Sequence, residues 1–355
     1  MKYKLKDIGT ITTGKTPSKK IVGAYGKKIN FLTPRDLNGQ RYSEYTERRL
    51  SLKGIECLKN YEVIPPSISV SCIGSDMGKV VFNKTPIVTN QQLNSISNIR
   101  KDIDPLYLYY LLYNKRILLK FMGSDRGSTM PILSKREFGN LEFEFPNLKT
   151  QKSISSRLDS LDKKIEVNSR INDNLLELAK AVFNKNVNSC SKTLLSNYFL
   201  PKRGKNLVKK NVIPGAIPVI AGGMIPAAFH NKSNTMAPVI TISASGANAG
   251  YVQIWGIRVW SSDSSFIDES VSNNIYFWYL LLKKYQKQIY ESQTGSAQPH
   301  IYPKNIGNLL IPVVSDETRL NINEKVKPIF NNIFENKHEN NLLNNLKIIL
   351  LEKYF

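Results

Sequence analysis

The chain repeats itself at a fixed interval, and this repeat limits the architectures that it can adopt. The segment GSTMPILSKREFGNL begins at Gly127, and the segment GSAQPHIYPKNIGNL begins at Gly295. The residues shared by the two segments are Gly127, Ser128, Pro131, Gly139, Asn140 and Leu141, which recur in the same spacing as Gly295, Ser296, Pro299, Gly307, Asn308 and Leu309. A chain that contains two copies of one segment is expected to fold as two copies of one structural unit.

Downstream of each repeated segment, apolar residues recur at alternating steps of four and three, a spacing typical of a coiled-coil seam. Two asparagines interrupt each stripe near its middle. The seam residues predicted to pair the two helices are Ile154, Leu158, Leu161, Ile165, Asn168, Asn172 and Leu175 in the first copy, and Ile322, Val326, Ile329, Ile333, Asn336, Asn340 and Leu343 in the second. The stripes continue at Leu178 and Val182, matched by Leu346 and Leu350. Pro328 is expected to kink or delay the second helix.

A first helix from about Ile154 to Val182 would be roughly 43 Å long at 1.5 Å per residue, a little more than the ~34 Å of one turn of B-DNA. If a pseudo-twofold axis relates the two copies, the helices pair antiparallel and hold two globular domains at opposite ends of a rod. The asparagines would then meet at its centre and fix the register. The alternative is that they lie exposed on a shifted face.

The segments before each helix are expected to be mixed α/β domains. The runs at 63–74 and 237–246 are β-rich and bounded by Gly or Pro, and both copies contain a Gly-x-x-x-Gly pair and a short apolar helix (104–112 and 273–281). The predicted fold class is therefore α+β, with two such domains in a pseudo-twofold arrangement, separated by two long antiparallel coiled-coil helices. The predicted bounds are 1–150 for the first domain, 151–190 for the first helix, 191–313 for the second domain and 314–355 for the second helix.

The formal charge of +22 is concentrated on the globular segments. Residues 1–150 carry 25 Lys/Arg and 13 Asp/Glu, and residues 191–313 carry 12 and 4, whereas the helical segments are nearly balanced. A Lys-rich coding bias would raise the charge of the helices as well, so the distribution favours a polyanionic partner for the domains, since cations placed on phosphates release condensed counterions.

Cations and amides near predicted loops are the candidate contacts to nucleic acid. Arg is suited to guanine, Gln and Asn to adenine, and Lys to phosphate. These candidates are Lys15, Lys19, Lys20, Arg35, Lys79, Gln91, Gln92 and Arg126 in the first domain, and Lys202, Arg203, Lys205, Lys209, Lys210, Asn248, Gln293 and Gln298 in the second. For any one of them, a solvated surface charge is the simpler interpretation. The glycine pairs serve either tight turns or close approach of a ligand.

No arrangement typical of an enzyme stands out. GTITTGKT (9–16) matches the phosphate-loop pattern, but the preceding MKYKLKDI is short and polar, and Pro17 disfavours a helix at Thr16. The three histidines and three cysteines show no zinc-ligand or catalytic spacing, so no catalytic residue and no metal site is predicted. The chain has no signal-like start and no apolar run long enough to span a bilayer, so no membrane partner is expected. Its three cysteines are an odd and scattered set, which argues against a disulfide framework and predicts a protein of the reducing cytoplasm.

The opening KLKDIGTITTGKTPSK, the loops GSTMPILSK and GSAQPHIYPK, the block EFPNLKTQKSISSRLDSLDKKI and the twice-repeated layout resemble the specificity subunit of type I restriction-modification systems. The resemblance covers essentially the whole chain. It implies a non-catalytic subunit in which each domain reads one half of a split site in double-stranded DNA. It also implies partners: a pair of methyltransferase subunits docked on the helices, and motor-nuclease restriction subunits joined through the complex. The resemblance implies no cofactor on this chain; S-adenosylmethionine, ATP and Mg²⁺ would be bound by the partner subunits.

Two rival functions remain open at this stage. One is an enzyme, such as a phosphate-loop ATPase or a stand-alone nuclease or methylase. The other is a coiled-coil scaffold whose basic domains bind RNA or other proteins.

Overall fold

A computed structural model describes residues 1–37, 39, 41–124, 131–187, 190–295 and 298–355. The chain divides into two compact units. The first unit comprises Met1–Lys164 and Leu343–Phe355, and the second unit comprises Ile165–Leu342. Each of the two long helices contributes a segment to both units, so the domain bounds given above remain a prediction.

Short strands and helices precede the first long helix. In chain order they are β1 (Lys2–Lys4), α1 (Leu5–Ile8), β2 (Thr10–Thr13), β3 (Tyr25–Leu32), β4 (Arg48–Leu50), α2 (Leu52–Cys57), β5 (Glu62–Val63), β6 (Ser67–Ser71), β7 (Val80–Asn83), β8 (Ile87–Thr89), β9 (Leu93–Ser97), α3 (Pro105–Asn114), α4 (Arg116–Ser124), α5 (Lys135–Asn140), β10 (Glu142–Glu144) and the long helix α6 (Leu148–Asn186).

A similar series of elements follows α6. They are β11 (Lys192–Leu194), β12 (Lys202–Arg203), β13 (Ile217–Ile220), β14 (Ala228–His230), β15 (Val239–Ser243), β16 (Val252–Trp255), β17 (Trp260–Ser261), β18 (Ser264–Ile267), α7 (Ile275–Lys284), α8 (Gln286–Glu291), α9 (Pro303–Gly307), β19 (Leu310–Pro312) and the long helix α10 (Asp316–Tyr354).

Each unit is built on one four-stranded antiparallel sheet. A second sheet is also present, with four strands in the first unit and three in the second. The strand order of the antiparallel sheet is β2-β9-β6-β7 in the first unit and β12-β18-β15-β16 in the second. The second sheets are β4-β3-β8-β5 and β14-β13-β17, and each contains one parallel pair, β3 with β8 and β13 with β17. The mixed helix-and-strand fold class and the presence of two long helices are thereby confirmed.

The apolar helices α3 and α7 fill the cores of the two units. Eight residues of α7, from Ile275 to Leu282, are buried, and α3 is buried from Tyr107 to Leu112. Asp104 caps α3, because its carboxylate accepts a hydrogen bond from the backbone N–H of Tyr107 at 2.9 Å. These are the helices that the two apolar runs predicted.

The central strands of the first unit contain buried serines, and Ser67, Ser69 and Ser95 have side-chain hydrogen-bond partners. Ser69 Oγ and Ser95 Oγ lie 2.7 Å apart on the paired strands β6 and β9. Asn83 Nδ2 donates to Ser67 Oγ at 3.0 Å and to Ser69 Oγ at 2.9 Å. A buried hydroxyl is costly only when it lacks a partner, so these polar strands can lie in the interior.

Both long helices have 39 residues and extend beyond the stripes that predicted them. α6 begins six residues before Ile154 and ends four residues after Val182. α10 contains Pro328 in its interior rather than near its start. The helices are longer than the stripes because their outer turns pack against the cores of the globular domains, as the buried Phe183 of α6 and Leu351 of α10 show.

In the second unit, amide side chains pair α6 with α10. Asn168 Nδ2 donates to Asn340 Oδ1 at 2.9 Å, and Asn336 Nδ2 donates to Asn172 Oδ1 at 2.9 Å. Asn168 is buried. The pairing is antiparallel, because the higher-numbered asparagine of α6 bonds to the lower-numbered one of α10. The predicted meeting of the asparagines is therefore present within this unit.

In the first unit, the same two helices are joined by a buried ionic cluster. Asp162 Oδ1 lies 2.6 Å from Lys347 Nζ, and Asp162 Oδ2 accepts a hydrogen bond from the Tyr110 hydroxyl at 2.8 Å. Arg41 Nη1 lies 2.7 Å from Asp159 Oδ1 and 3.6 Å from Asp162 Oδ2. Burial, and then the Asp162 carboxylate, raise the pKa of Tyr110 far above its ordinary value, so the hydroxyl stays a donor. The cluster ties the domain, α6 and α10 together.

The stripes of apolar residues match the buried positions in the first turns of each long helix and match them less well towards its C-terminal end. Ile154, Leu158, Ile322 and Val326 are buried. Leu178 and Leu346, by contrast, are 52% and 44% exposed, whereas one residue later Ala179 is buried and the Lys347 side chain is only 12% exposed. A straight α-helix with 3.6 residues per turn drifts relative to a 3.5-residue repeat, so a strict 4-3 stripe leaves the seam after a few turns.

Replacing Lys347 with Met should destabilise the first unit by about 3 kcal/mol, because it leaves the buried Asp162 without its closest cation. Lys287→Met is the matched control, since Lys287 lies 3.8 Å from Glu291 with 89% of its side chain exposed, where an ion pair contributes little. Urea unfolding followed by circular dichroism measures both variants. Equal midpoints for the two would contradict the structural role of the cluster.

Candidate nucleic-acid interface

Three loops come together at one edge of the main sheet in the first unit. The backbone N–H of Lys15 donates to Thr89 O at 2.9 Å, directly after β2. The backbone N–H of Cys72 donates to Gln92 O at 2.8 Å, and that of Gly74 donates to Pro131 O at 3.0 Å. We call the segments 14–16, 73–79 and 90–92 the first loop cluster. We call these three backbone hydrogen bonds the loop frame. Because they involve only main-chain groups, the side chains remain available for other contacts.

The second unit repeats this frame bond for bond. The backbone N–H of Lys205 donates to Ser261 O at 2.9 Å, that of Ala244 to Asp263 O at 3.1 Å, and that of Gly246 to Pro299 O at 3.0 Å. We call the segments 203–206, 245–250 and 262–263 the second loop cluster. The frame aligns Gly14-Lys15 with Gly204-Lys205, and it aligns Gln92 with Asp263.

The shared Gly-Lys pair has a steric explanation. A Cβ at Gly14 would lie 2.1 Å from Thr89 Oγ1, and a Cβ at Gly204 would lie 2.5 Å from Ser261 O. Only glycine allows the backbone to approach the neighbouring strand this closely. The next element after β2 is the strand β3, so the match to the phosphate-loop pattern does not form a phosphate loop, which needs a helix at that point.

The Gly-x-x-x-Gly pairs form tight turns between adjacent strands. Gly74, Gly78, Gly246 and Gly250 have φ values of +91°, +88°, +77° and +86°. This left-handed region is strained for residues with a Cβ, so the turns require glycine. They place Lys79 and Asn248 in the first and second loop clusters, respectively.

Amide side chains and a lysine dominate the first loop cluster. Gln91 is exposed, and its Oε1 accepts a hydrogen bond from Thr16 Oγ1 at 2.7 Å. Gln92 Oε1 accepts one from Asn90 Nδ2 at 2.9 Å. Lys15 is exposed, with Nζ 5.4 Å from the centre of the Tyr61 ring. The structure therefore brings Lys15, Gln91 and Gln92 together.

An ion pair occupies the second loop cluster. Arg203 Nη2 lies 2.7 Å from Asp263 Oδ1, and Asp263 Oδ2 accepts a hydrogen bond from Ser245 Oγ. Lys205 is exposed beside this pair. The two clusters thus share one backbone frame but present different chemistry.

The remaining predicted contacts fall into three groups. Lys79, Lys202 and Gln293 bond within the protein: Lys79 Nζ to Asp76 at 2.8 Å, Lys202 Nζ to Ser270 O at 3.0 Å, and Gln293 Nε2 to Ala249 O at 2.6 Å. The exposed residues outside the clusters are Lys19, Lys20, Arg35, Lys209, Lys210 and Gln298. Arg126 lies outside the described part of the chain, as do the repeat residues Gly127, Ser128 and Ser296, which were not predicted as contacts.

A basic patch on β3, β4 and α2 was not selected from the sequence. It consists of the exposed residues Lys27, Lys28, Arg48, Arg49 and Lys53. The three lysines line a shallow depression of about 550 Å³. The Arg48 guanidinium lies 5.3 Å from the centre of the Tyr25 ring. In the sequence, this patch is indicated only by two pairs of adjacent cations, Lys27-Lys28 and Arg48-Arg49. That the two pairs lie on one sheet is evident only from the pairing of β3 with β4.

Outward-facing apolar residues follow one side of each long helix. On α6 in the second unit, Val167, Ile171 and Leu178 are 49%, 42% and 52% exposed. On α10 in the first unit, Leu346 and Ile349 are 44% and 60% exposed. The spacings of four, seven and three residues place each set on one helix face. Such faces on a surface helix are typical of protein contacts.

Within the described part of the chain, no group of three or more His, Cys, Asp or Glu side chains is arranged to hold a metal ion. None of the helices within that part of the chain is long and apolar enough to cross a membrane.

Comparisons with known proteins identify the same architecture. Residues 1–177 and 200–345 match the family model described as the type I restriction modification DNA specificity domain. The MjaIX specificity subunit of Methanocaldococcus jannaschii is 24% identical, covering 99% of this chain and 91% of that protein. The HindI specificity subunit of Haemophilus influenzae is 30% identical over 49% of this chain and 38% of its own length. A crystal structure of the S subunit from M. genitalium has the same fold, with a TM-score of 0.66, 19% identity and coverage of 100% and 96%.

Replacing Gly14 with Ala should destabilise the first unit by about 1–3 kcal/mol, the range for forcing atoms into a packed interior. Gly223→Ala is the control, because a Cβ there meets nothing closer than Ile225 O at 3.5 Å. Thermal unfolding measures both proteins. If Gly14→Ala melts at the wild-type temperature, the close approach of the backbone to β8 is not required.

Proposed function

The chain belongs to the type I restriction modification DNA specificity family, and on this premise we propose that its two units read the two halves of one split DNA target. The observation that carries the proposal is the repeated loop frame, which presents Gln91 and Gln92 in one unit and Arg203 and Asp263 in the other. Amides and guanidinium groups recognise different bases. The half-sites should therefore differ in sequence.

Within this proposal, residues 1–150 and 191–313 are the target-recognition domains, and residues 151–190 and 314–355 form the spacer between them. The concentration of cations on the domains supports this division, because DNA binding depends on phosphate contacts. The basic patch of Lys27, Lys28 and Lys53 would add phosphate contacts to those of the first loop cluster. As a specificity subunit, the chain recognises DNA and leaves catalysis to other subunits.

We further propose that the exposed apolar faces of α6 and α10 bind methyltransferase subunits. A separate stripe in each unit, Val167 with Ile171 and Leu346 with Ile349, would accommodate two copies. Restriction subunits would join through that complex. S-adenosylmethionine, ATP and Mg²⁺ would then be bound by these partners, and the complex would act on DNA in the cytoplasm.

Methylome sequencing tests the function directly. Cells that carry this gene with neighbouring methyltransferase genes should methylate one motif with two specific parts separated by an unspecific spacer of fixed length. An unmethylated genome, or a continuous motif without a spacer, would contradict the proposal. A gel-shift competition with duplex DNA and double-stranded RNA of the same sequence separates DNA recognition from an RNA scaffold.

Lys15→Ala and Lys205→Ala should each weaken DNA binding at all sequences and lower the slope of log affinity against log salt by about 1, as expected for the loss of one phosphate contact. Lys149→Ala, at an exposed position at the start of α6, is the control. Fluorescence anisotropy across a salt titration measures the slopes. Unchanged slopes in both variants would remove these lysines from the interface.

Ile171→Glu should reduce co-purification with methyltransferase subunits about ten-fold or more, because a carboxylate cannot be buried in an apolar interface without a partner. Its folding should not change, since Ile171 is 42% exposed. Arg170→Glu places the same side chain at an exposed neighbouring position outside the stripe. If both variants retain the partner equally, the stripe is not the docking surface.

A further inference from the structure

The shared backbone frame allows the two loop clusters to be compared residue by residue. In the first unit Thr13 pairs with Asn94 across β2 and β9, and in the second unit Arg203 pairs with Ser265 across β12 and β18. Thr13 and Arg203 each precede the Gly-Lys pair. The frame therefore places Arg203 where the first unit has a threonine, and Asp263 where it has Gln92.

Asp263 is held in position by two contacts besides the one to Arg203. Its backbone C=O accepts a hydrogen bond from Ala244 N–H at 3.1 Å, and its carboxylate accepts one from Ser245 Oγ. The other carboxylate oxygen lies 2.7 Å from Arg203 Nη2. The Arg203 and Asp263 side chains remain 41% and 35% exposed. The guanidinium is thus oriented at the surface through its Nη2 atom.

We propose that Arg203 reads one guanine in the half-site of the second unit, and that Asp263 is the positioning residue that orients it. This inference rests on the proposed function and names the base chemistry of the same site. A guanidinium presents parallel N–H donors that fit guanine O6 and N7 together. Thr13 cannot make this contact, so the first half-site is read differently at the corresponding position.

A phosphate contact is the competing role for Arg203, and the local charges disfavour it. The Asp263 carboxylate lies 2.7 Å from the guanidinium. A phosphate bound by Arg203 would come close to this carboxylate, and the two negative charges would repel each other. A base edge in the major groove carries no such charge. Lys205, two residues further along the same loop, is the exposed cation suited to the phosphate.

Arg203→Lys separates the two roles because it retains the charge but loses the bidentate geometry. The full-length variant, expressed with its methyltransferase subunits, should methylate sites in which one guanine of one half-site is replaced. Preference for guanine there should fall about ten-fold or more, as expected for loss of one bidentate pair. The other half-site and the salt dependence of binding to genomic DNA fragments should stay unchanged.

Asp263→Asn should relax the same guanine and no other base, since it acts through Arg203. Glu291→Gln, which removes the exposed partner of Lys287 in the same unit, should leave the motif intact. An unchanged motif in both test variants overturns the inference, as does a uniform loss of binding with a lower salt slope. A complex of the wild-type chain with methyltransferase subunits that methylates no split motif overturns the proposed function as well, so the two failures can be told apart.

Discussion

Antiparallel pairing of α6 and α10 is the constraint on which both units depend. Each long helix packs against its counterpart and against the domain core beside it, and each unit contains one segment of both helices. In the second unit, Val326 and Phe330 of α10 share a buried cluster with Phe183 of α6 and Phe277 of α7. The domain core is therefore completed by the helix pair. Loss of the pairing would expose apolar surface in the domain as well as in the seam.

The seam has different chemistry in the two units at corresponding positions. Asp162 and Lys347 form the buried ion pair in the first unit. The interval that relates Gly127 to Gly295 also relates Asp162 to Phe330 and Ala179 to Lys347, and both Phe330 and Ala179 are buried among apolar residues in the second unit. A helix paired with a second copy of itself would place a charge against an apolar side chain. Because unpaired buried charges are costly, this asymmetry favours the pairing of α6 with α10 over either helix with itself.

Sequence periodicity predicted the long helices, and the two similar apolar runs predicted α3 and α7, because these features depend on local sequence. The antiparallel contact at the asparagines was expected only if a pseudo-twofold axis relates the two copies, since spacing within one helix does not set the direction of its partner. It did not locate Ala179 and Lys347 in the seam, since a lysine in an apolar seam has no periodic signal until Asp162 is known to face it. The correspondence of Gly14-Lys15 with Gly204-Lys205 was also missed. The loops of the two units differ in length, so this pair recurs at a longer interval than the one that relates the helices. The side chains proposed to contact bases come together only in the folded loops, so their combination has no signal in the sequence.

In both units, main-chain hydrogen bonds hold the loops, whereas the side chains that the loops present differ; under the proposed function this separation allows one fold to read different sequences. Backbone groups of Lys15, Cys72 and Gly74 make the bonds that hold the first loop cluster, and Lys205, Ala244 and Gly246 make the same bonds in the second. These bonds do not depend on the identity of the side chains at 92 and 263. Under the proposed function, a substitution at such a position would alter the hydrogen-bonding groups offered to DNA at little cost to folding. Glycines, in contrast, are required where the backbone of a loop approaches a neighbouring strand closely or has a positive φ. Substitutions at these positions are therefore restricted.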